Sequence, residues 1–415
     1  MEEEVPCYFV CPISLHLMRD PVTLPTGITY DRDGIERWLL TAGTCPLTKQ
    51  PVPPDCDPTP NHTLRRLIQS WCAAEGVVRR VATPPKPPIG DDRSRVASLV
   101  SRIGANNNFT STELLAALRE LRDVASESER SKKLVAAVPR AVDTLVGVFI
   151  IASSATASAA VCCDEVLEII SSLELSEKCL ARVIEANEAL SRSLVGALVS
   201  ALQRSNAASR AHAALLLRSV TAVMSTNSLA SLPEQLFGEV VQLIRDKQVS
   251  SRAVTKAALH VIVGTAPWGR NRVKAVDAGA VAALVDMLLD GPERRACELA
   301  LGALDRLCVC AEGRAELVAH GAGVAAVGGK ALRVSDVATD KAVRVLRSVA
   351  RHAATAAVLQ EMAQTGVVGT LCVVAQSEEQ YGERTRERAR ETLRRHARAW
   401  RSTPCLHHHL QAMYP

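Results

Sequence analysis

The chain has 415 residues, enough for two or three domains or for one domain followed by an array of repeats. Its 49 Lys and Arg residues exceed its 44 Asp and Glu residues by only five, so charge alone favours neither nucleic acid nor an anionic membrane as a partner. Hydrophobic residues make up 47% of the chain but aromatic residues only 3%, so Ala, Val and Leu fill most of the interior. This composition suits closely packed helices and excludes a large all-β protein.

The first 80 residues differ in composition from the rest. They hold five of the twelve aromatic residues, so we expect a separate small domain there. The acidic start is followed by no long apolar segment, which argues against a secretory signal, and the 13 cysteines have no disulfide spacing. We therefore expect reduced thiols and a cytoplasmic protein, with nuclear or peripheral membrane association left open.

Two short motifs in this region have half of a zinc-binding pattern. Tetrahedral zinc sites of the RING type need Cys-x-x-Cys pairs. Cys11 is followed by Ser14 where the second ligand would be, and Cys45 is followed by Thr48. The other candidates, Cys7, Cys56, His16 and His62, have no standard paired spacing. We therefore expect no metal or other cofactor and interpret Cys11 and Cys45 as small buried apolar residues.

Two short helices are predicted in the same region. The first has its apolar residues at helical spacing, with Asp31 as its N-cap and Gly43 as its end. The second follows Asn61, another capping residue. Prolines are frequent in the intervening segments, which predicts loops there.

Four prolines between residues 84 and 88 indicate a linker, predicted over residues 81–94, because proline lacks the backbone donor that regular structure needs. From residue 95 to 402, apolar residues recur at positions i, i+3, i+4 and i+7, the pattern of one buried helical face. Successive stripes start 41 to 52 residues apart. They begin at Leu114, Val166, Ala213, Val254, Ala300, Ala342 and Ala389, the last being a degenerate copy.

Glycines keep a similar spacing. Gly279, Gly321 and Gly366 are 42 and 45 residues apart, and glycine permits a sharp turn between helices. A period of about 40 to 47 residues is typical of armadillo and HEAT repeats, which stack into an extended concave face. An irregular all-helical domain is the alternative. Residues 144–163 lack charge, but their Ala, Ser and Thr content argues against a membrane-spanning helix, and residues 403–415 are predicted to form a tail.

Five motifs follow one another in the N-terminal region: Phe9-Val10-Cys11-Pro12-Ile13-Ser14-Leu15, Met18-Arg19-Asp20-Pro21-Val22-Thr23, Thr26-Gly27-Ile28-Thr29-Tyr30-Asp31-Arg32, Trp38-Leu39 and Cys45-Pro46-Leu47-Thr48. Over about 70 residues this region resembles the U-box, the metal-free relative of the RING. With the repeats behind it, the chain resembles the plant U-box/armadillo ubiquitin ligases of the short class. The predicted fold is mainly α: a small α+β U-box (residues 6–80) followed by an α-solenoid of armadillo-like repeats (residues 95–402).

The resemblance implies a docking surface for a ubiquitin-conjugating enzyme charged with ubiquitin. The family's apolar groove corresponds here to Ile13, Leu15, Trp38 and Pro46. The family position that donates hydrogen bonds to ubiquitin and the conjugating enzyme together is Lys49, a compact charge rather than the planar fork of Arg. Core packing is the alternative role for each groove residue, and it is the role expected of Cys11, Val22 and Tyr30. Asp31, the expected helix N-cap, completes the set of structural U-box residues.

The implied mechanism is non-covalent: the ligase holds the thioester ready for attack while the repeats present a substrate lysine. Stress and defence signalling is the implied context. A non-catalytic armadillo adaptor with a degenerate U-box is the alternative from another class. The expected partners are the charged conjugating enzyme and a protein substrate, with no nucleic acid and no integral membrane segment, and a homo-oligomer is left open.

Arginines recur five residues after the start of several stripes, on the solvent side of the predicted helices. In an armadillo-like stack this side of each repeat's last helix lines the concave groove, so the arginines are candidates for binding an acidic partner segment. An ordinary solvated helix face is the alternative. The candidates are Arg119, Arg218 and Arg347, together with Arg394 in the degenerate copy.

Overall fold

A computed structural model of the chain separates it into two compact units, residues 1–87 and 88–415. Each unit is described by itself. The predicted linker up to residue 88, Cys56 and the predicted tail 403–415 lie outside the described part of the chain. The described residues are 6–53, 58–74, 89–105, 112–154, 159–185, 188–246, 251–377 and 379–401.

The first unit is a small three-stranded antiparallel sheet with two helices. The strands have the order β2-β1-β3, and Val22 of β1 lies opposite Tyr30 of β2 and Pro60 of β3. Val22 and Tyr30 are fully buried, as is Ile35 of the first helix. The elements are a 3-10 helix (Cys7–Phe9), β1 (Pro21–Thr23), β2 (Thr29–Asp31), α1 (Arg32–Ala42), β3 (Thr59–Pro60) and α2 (His62–Ala74).

Both predicted helices of this unit form, and their ends follow local chemistry. Gly43 ends α1 in the left-handed conformation, at φ 60°, which glycine adopts without steric cost. The Asn61 side chain accepts the backbone N–H of Leu64 at 3.0 Å and so caps α2. Asp31 occupies the N-cap position of α1, but its side chain makes no capping hydrogen bond, so the predicted capping interaction is wrong.

The second unit is a stack of helices. Its bounds are α3 (Ile89–Ala105), α4 (Thr112–Ser126), α5 (Glu129–Ala137), α6 (Ala141–Ser154), α7 (Ala160–Ser172), α8 (Glu177–Glu185), α9 (Glu188–Leu202), α10 (Ala207–Val223), α11 (Thr226–Ala230), α12 (Glu234–Arg245), α13 (Arg252–Thr265), α14 (Asn271–Asp277), α15 (Ala280–Leu289), α16 (Arg294–Leu307), α17 (Ala311–Ala319), α18 (Gly323–Lys330), α19 (Asp336–His352), α20 (Ala356–Gln364), α21 (Val367–Gln376) and α22 (Glu383–Trp400).

The seven predicted stripes lie on every third helix of the stack, and we call these seven helices the series. They fall on α4, α7, α10, α13, α16, α19 and α22, and each stripe begins at a buried residue. Each of these helices contacts the next one in the series, so the stripes form one continuous core. The predicted mainly α fold with stacked helical repeats is confirmed. The turns use Gly279 and Gly366 in the left-handed conformation, two of the three predicted glycines.

Two sequence-based boundaries need adjustment. Helix α3 begins at Ile89, inside the predicted linker 81–94, because the last proline is Pro88 and every following residue up to 94 has a backbone donor. The uncharged segment 144–163 is divided between α6 and α7. Among the described residues, no single helix has the length and apolar content to cross a membrane, although two bent helix pairs reach that level when combined.

Polar contacts between successive repeats accompany the apolar core. Asn271, fully buried at the start of α14, donates its side-chain N–H groups to the carbonyl of Leu229 at 2.8 Å and to that of Thr265 at 3.1 Å. Leu229 lies 42 residues earlier, one repeat away. At the end of the stack the indole of Trp400 donates to the Leu359 carbonyl at 3.0 Å. The Asn271–Leu229 bond joins neighbouring repeats and supplies a donor to a backbone carbonyl in the interior.

Asn271→Ala tests this link. Removing the side chain takes its donor from the Leu229 carbonyl, while the Thr265 carbonyl keeps the backbone N–H of Trp268, so the free energy of unfolding of the repeat unit should fall by about 1–3 kcal/mol. Urea unfolding followed by far-ultraviolet circular dichroism measures the change. Asn227→Ala, at an exposed position on α11, is the matched control and should change stability by less than about 0.5 kcal/mol. Equal effects of the two substitutions would contradict the assigned role.

Candidate functional site

Two loops of the first unit have the same backbone conformation. We call residues 11–16 loop 1 and residues 45–50 loop 2. In loop 1 the Cys11 N–H donates to the carbonyl of His16 at 2.8 Å, and the Leu15 N–H donates to the carbonyl of Cys11 at 2.9 Å. In loop 2 the Cys45 N–H donates to the carbonyl of Gln50 at 2.8 Å, and the Lys49 N–H donates to that of Cys45 at 2.9 Å. Each loop thus closes on its own cysteine.

The residues found at the absent zinc-ligand positions contribute to this closure. The Ser14 hydroxyl accepts the backbone N–H of His16 at 3.4 Å. The Thr48 hydroxyl accepts that of Gln50 at 3.5 Å, so the two hydroxyls have the same function. Local bonds of this kind are typical of Ser and Thr in turns. The repeated Cys-Pro-x-Ser/Thr pattern in the sequence was a signal for this similarity.

The fifth residue of each loop is in an unfavourable backbone conformation. Leu15 has φ 56° and Lys49 has φ 57°, in the left-handed region that side chains with a Cβ rarely occupy. Leu15 is also 77% exposed, so it combines backbone strain with an apolar side chain in water. Neither property stabilises the fold, and backbone strain of this kind is concentrated at functional sites.

Loop 1 is attached to the sheet through Cys11 and Asp31. The buried Cys11 thiol accepts the backbone N–H of Asp31 at 3.2 Å. One carboxylate oxygen of Asp31 accepts the backbone N–H groups of Arg19 at 2.8 Å and Asp20 at 2.7 Å. Asp20 in turn binds the Arg32 guanidinium at 2.7 Å. Asp31 therefore holds the segment after loop 1 instead of capping α1.

Loop 2 is attached through Cys45 and Tyr30, both fully buried. The Tyr30 hydroxyl lies 3.1 Å from the Cys45 sulfur and accepts the backbone N–H of Leu47 at 3.3 Å. The Thr26 hydroxyl donates to the same sulfur at 3.4 Å. The core positions predicted for Cys11, Val22 and Tyr30 match their burial in this unit.

These hydrogen bonds change the acidity of the buried pair. Burial raises the pKa of the Cys45 thiol, but hydrogen bonds from the hydroxyls of Thr26, Thr48 and Tyr30 and from the Thr48 backbone outweigh burial and lower this pKa to about 6. Burial first, and then the hydrogen bond to Cys45, raise the pKa of Tyr30 to about 12. Both shifts describe a tyrosine hydroxyl that donates to a thiolate.

The predicted docking residues lie on the two loops and on α1. Ile13 and Pro46 are half-buried. The Ile13 side chain packs against Gly34, so that a Cβ added at Gly34 would lie 3.8 Å from the nearest Ile13 atoms. Trp38, one turn after Gly34, is half-buried and donates its indole N–H to the carbonyl of Thr44 at 2.8 Å. The Lys49 ammonium lies 5.6 Å from the centroid of the Trp38 ring, within reach of a cation–π interaction.

Leu47 is a further exposed apolar residue on loop 2. Its side chain is 58% exposed while its backbone is held by Tyr30. Sequence reasoning did not select it as a site residue, although its position in the Cys-Pro-Leu-Thr motif matches that of Ile13 in Cys-Pro-Ile-Ser. Both loops of the first unit therefore carry apolar side chains, and the same unit contains Trp38 and Lys49.

The candidate arginines of the repeats are mostly engaged in ion pairs. Arg119 on α4 binds Glu165 at 3.0 Å, and Arg347 on α19 binds Glu391 at 2.6 Å, in each case on the next helix of the series. Arg394 lies 3.9 Å from Glu387 of its own helix. Arg218 is exposed on α10. Arg119 and Arg347 therefore link neighbouring repeats.

Comparison with known families agrees with both units. A family model described as the plant U-box protein ARM repeat region matches residues 95–414, and one described as the U-box domain matches residues 5–76. The chain belongs to the plant U-box proteins with an armadillo-repeat region. Its enzyme class is that of the RING-type, or U-box, E3 ubiquitin transferases.

Full-length relatives have the same organisation. E3 ubiquitin-protein ligase PUB23 of Arabidopsis thaliana is 43% identical over 423 aligned residues, covering 100% of this chain and 98% of that protein. E3 ubiquitin-protein ligase PUB22 of the same plant is 41% identical, covering 100% and 99%. A solved engineered protein shares the fold alone, with a TM-score of 0.53 and 16% identity over 85% of this chain and 84% of that one.

The acidity of Cys45 predicts a pH dependence of stability. Between about pH 6 and pH 9 the folded U-box holds a thiolate while the unfolded chain keeps a thiol. The unfolded state then binds more protons, so the free energy of unfolding rises with pH, by at most about 1.4 kcal/mol per pH unit, and this contribution is lost as pH falls through 6. Urea unfolding between pH 5.5 and 9 measures it, with Trp268 and Trp400 changed to Phe so that fluorescence reports on the U-box.

Cys45→Ser should remove this pH dependence, because a serine hydroxyl does not ionise in the range. Cys7→Ser, at an exposed cysteine of the same unit, is the control and should retain it. A U-box whose stability is independent of pH in the wild type, or one that keeps its pH dependence after Cys45→Ser, contradicts the assignment.

The same loops predict stability without metal. Hydrogen bonds that the Ser14 and Thr48 hydroxyls accept, together with the backbone bonds of the two cysteines, close the loops in the way that zinc closes those of a RING. Among the described residues, no three His, Cys, Asp or Glu side chains form a metal-binding group. Prolonged EDTA treatment should therefore leave the melting of the first unit unchanged. Stoichiometric zinc by elemental analysis, together with a melting temperature that EDTA lowers, would contradict this prediction.

Proposed function

We propose that the U-box docks a ubiquitin-conjugating enzyme charged with ubiquitin and that the repeats bind the protein substrate. The observation that carries the first part is Leu15, which is strained in its backbone and exposed in its side chain. A binding surface explains both properties, because apolar side chains that fill a pocket of a partner supply most of the energy of a small interface. The further apolar residues proposed for this surface are Ile13, Pro46 and Leu47 of the two loops and Trp38 of α1.

Lys49 is proposed as the donor that positions ubiquitin and the conjugating enzyme together. Its backbone is held by loop 2, and its ammonium lies above the Trp38 ring, so it starts close to the docking surface. Its task is positioning and not proton abstraction. Restricting the thioester to an attack-ready geometry turns a rare encounter with a lysine into an effectively intramolecular step. The reaction needs no covalent intermediate on this chain, which agrees with the full burial of Cys11 and Cys45.

The repeats are proposed to select the substrate. A stack of helices with a continuous core offers an extended surface that is suited to a protein segment. We place the protein in the cytoplasm and in stress or defence signalling, on the basis of the sequence resemblance. These assignments are separable from the docking proposal, since they concern other residues and other partners.

Substitutions that spare the fold test the docking surface. Leu15→Gly removes the apolar side chain and relieves the left-handed strain, so the stability of the U-box should change by less than about 1 kcal/mol. Ile13→Ala removes a second contact, and because Ile13 also packs against the core of this unit, thermal melting of the variant is measured together with its activity. Each should lower the rate of ubiquitin discharge by about 30-fold, corresponding to about 2 kcal/mol of interface energy. Trp38 is less suitable, because its indole also bonds to loop 2.

The assay follows single-turnover discharge of ubiquitin from a charged conjugating enzyme to free lysine in the presence of the full chain. Leu67→Ala is the matched control, since Leu67 is 53% exposed on α2 and belongs to neither loop. It should discharge at the wild-type rate. Wild-type activity of folded Leu15→Gly and Ile13→Ala would show that docking lies elsewhere. Failure of the wild-type chain with a broad panel of conjugating enzymes would favour the non-catalytic adaptor.

A further inference from the structure

Three guanidinium groups converge on one carboxylate near the end of the repeat stack. Glu391 of α22 lies 2.6 Å from Arg347 and 3.7 Å from Arg351, which are one turn apart on α19. It also lies 3.6 Å from Arg395, one turn further along α22. We call Arg347, Arg351, Arg395 and Glu391 the arginine cluster. It spans two adjacent helices of the series that forms the continuous core.

The cluster has more positive charge and more donors than Glu391 can satisfy. Three positive charges surround one negative charge, which leaves a net charge of +2. Each guanidinium carries five N–H donors, whereas one carboxylate offers about four acceptor positions. Most of the guanidinium donors therefore have no acceptor on Glu391. The side chains of Arg351 and Arg395 are 45% and 43% exposed, so a ligand can reach them.

Neighbouring groups respond to this charge. Partial desolvation, followed by the positive charges of Arg314, Arg351, Arg395 and Arg347, lowers the pKa of the exposed His352 on α19. Arg314 lies on α17 and donates to the carbonyls of Cys308 and Val309, which follow the end of α16.

We propose that the arginine cluster binds an acidic segment of a partner protein, through Asp or Glu carboxylates that add to Glu391. This rests on the proposed role of the repeats in substrate selection and names the chemistry that they recognise. Guanidinium groups bind carboxylates through paired hydrogen bonds, and an ion pair gains strength where the donors are already held in position. Glu391 already holds Arg347 and Arg351 in position through ion pairs.

The size of the cluster favours a protein segment over other anions. A net charge of +2 cannot neutralise the six or more phosphates that nucleic-acid binding proteins of ordinary affinity contact. Binding to anionic lipid surfaces is typical of clusters of about four to eight basic residues. One or two carboxylates from a segment lying along the repeat helices match the charge, and helical repeat stacks use such surfaces for protein partners.

The test measures binding of a fluorescein-labelled peptide in which Glu alternates with Ser to the full chain, by fluorescence anisotropy at low and moderate salt. The same peptide with Gln in place of Glu should not bind. Arg351→Glu with Arg395→Glu should weaken binding of the Glu peptide by at least about tenfold. Arg351→Gln with Arg395→Gln, which avoids new repulsion with Glu391, should weaken it less, and it provides the test where charge reversal disturbs folding.

Glu391→Gln supplies a change in the opposite direction. It removes the internal competitor and raises the cluster charge to +3, so the affinity for the Glu peptide should increase several-fold. Arg192→Glu with Arg333→Glu changes the total charge as much as the double reversal does, at exposed positions outside the cluster, and should leave the affinity within about twofold. Circular dichroism melting identifies any variant whose fold is disturbed.

The outcomes separate this proposal from others. Unchanged or weaker binding by folded Glu391→Gln, or equal losses in the two double reversals, would overturn it. So would a cluster-dependent binding of phosphatidylserine vesicles without binding of the peptide, which would indicate a membrane site. Ubiquitin discharge to free lysine is measured on the same variants. A chain that binds the peptide but discharges no ubiquitin contradicts only the proposed function, and the reverse result contradicts only the proposed acidic partner.

Discussion

The closure of each U-box loop on its own cysteine is the constraint on which the rest of this domain depends. In each loop the backbone N–H of the cysteine donates one hydrogen bond and the backbone carbonyl of the same cysteine accepts one. The cysteine side chains then anchor the loops to β2, Cys11 through the Asp31 N–H and Cys45 through the Tyr30 hydroxyl. All exposed apolar residues of the two loops are carried by this framework. Hydrogen bonds and the two buried cysteines, Cys45 as a thiolate above about pH 6, thus hold the two loops in place.

The sequence allowed much of this to be predicted, and its limits have physical reasons. Helical periodicity located seven helices of the repeats, α4, α7, α10, α13, α16, α19 and α22, because a stripe of buried residues repeats with the turn of the helix. It did not separate the other helices that contribute to the same core. Ser14 and Thr48 predicted that zinc ligands are missing, but spacing alone could not reveal the bonds that replace them. Asp31 was assigned to capping, a local role, whereas its actual partners are backbone groups eleven and twelve residues earlier. Leu15 strain depends on a backbone angle that no residue pattern encodes.

The arginines of the repeats illustrate the same limit. Helical position correctly placed Arg119 and Arg347 away from the core, but it gave no information on the acidic residues of the next repeat. The ion pairs of Arg119 and Arg347 join residues 46 and 44 apart, which is the spacing of the repeats themselves. The Arg347–Glu391 pair is partly exposed, and pairs of this kind add little stability, about 0–1 kcal/mol, so its value lies more in how it distributes charge over the surface. That distribution is uneven, since Glu165 is shared by two arginines and Glu391 by three.

The central claim is that two preformed loops and helix α1 present the docking surface while the repeats serve a different partner. Hydrogen–deuterium exchange of the full chain, with and without a ubiquitin-charged conjugating enzyme, tests it most directly. The account predicts added protection of backbone amides in residues 10–20, 32–42 and 43–51, with the helices from α4 to α22 unchanged. Protection confined to the repeat helices, with both loops exchanging as in the free protein, would contradict it.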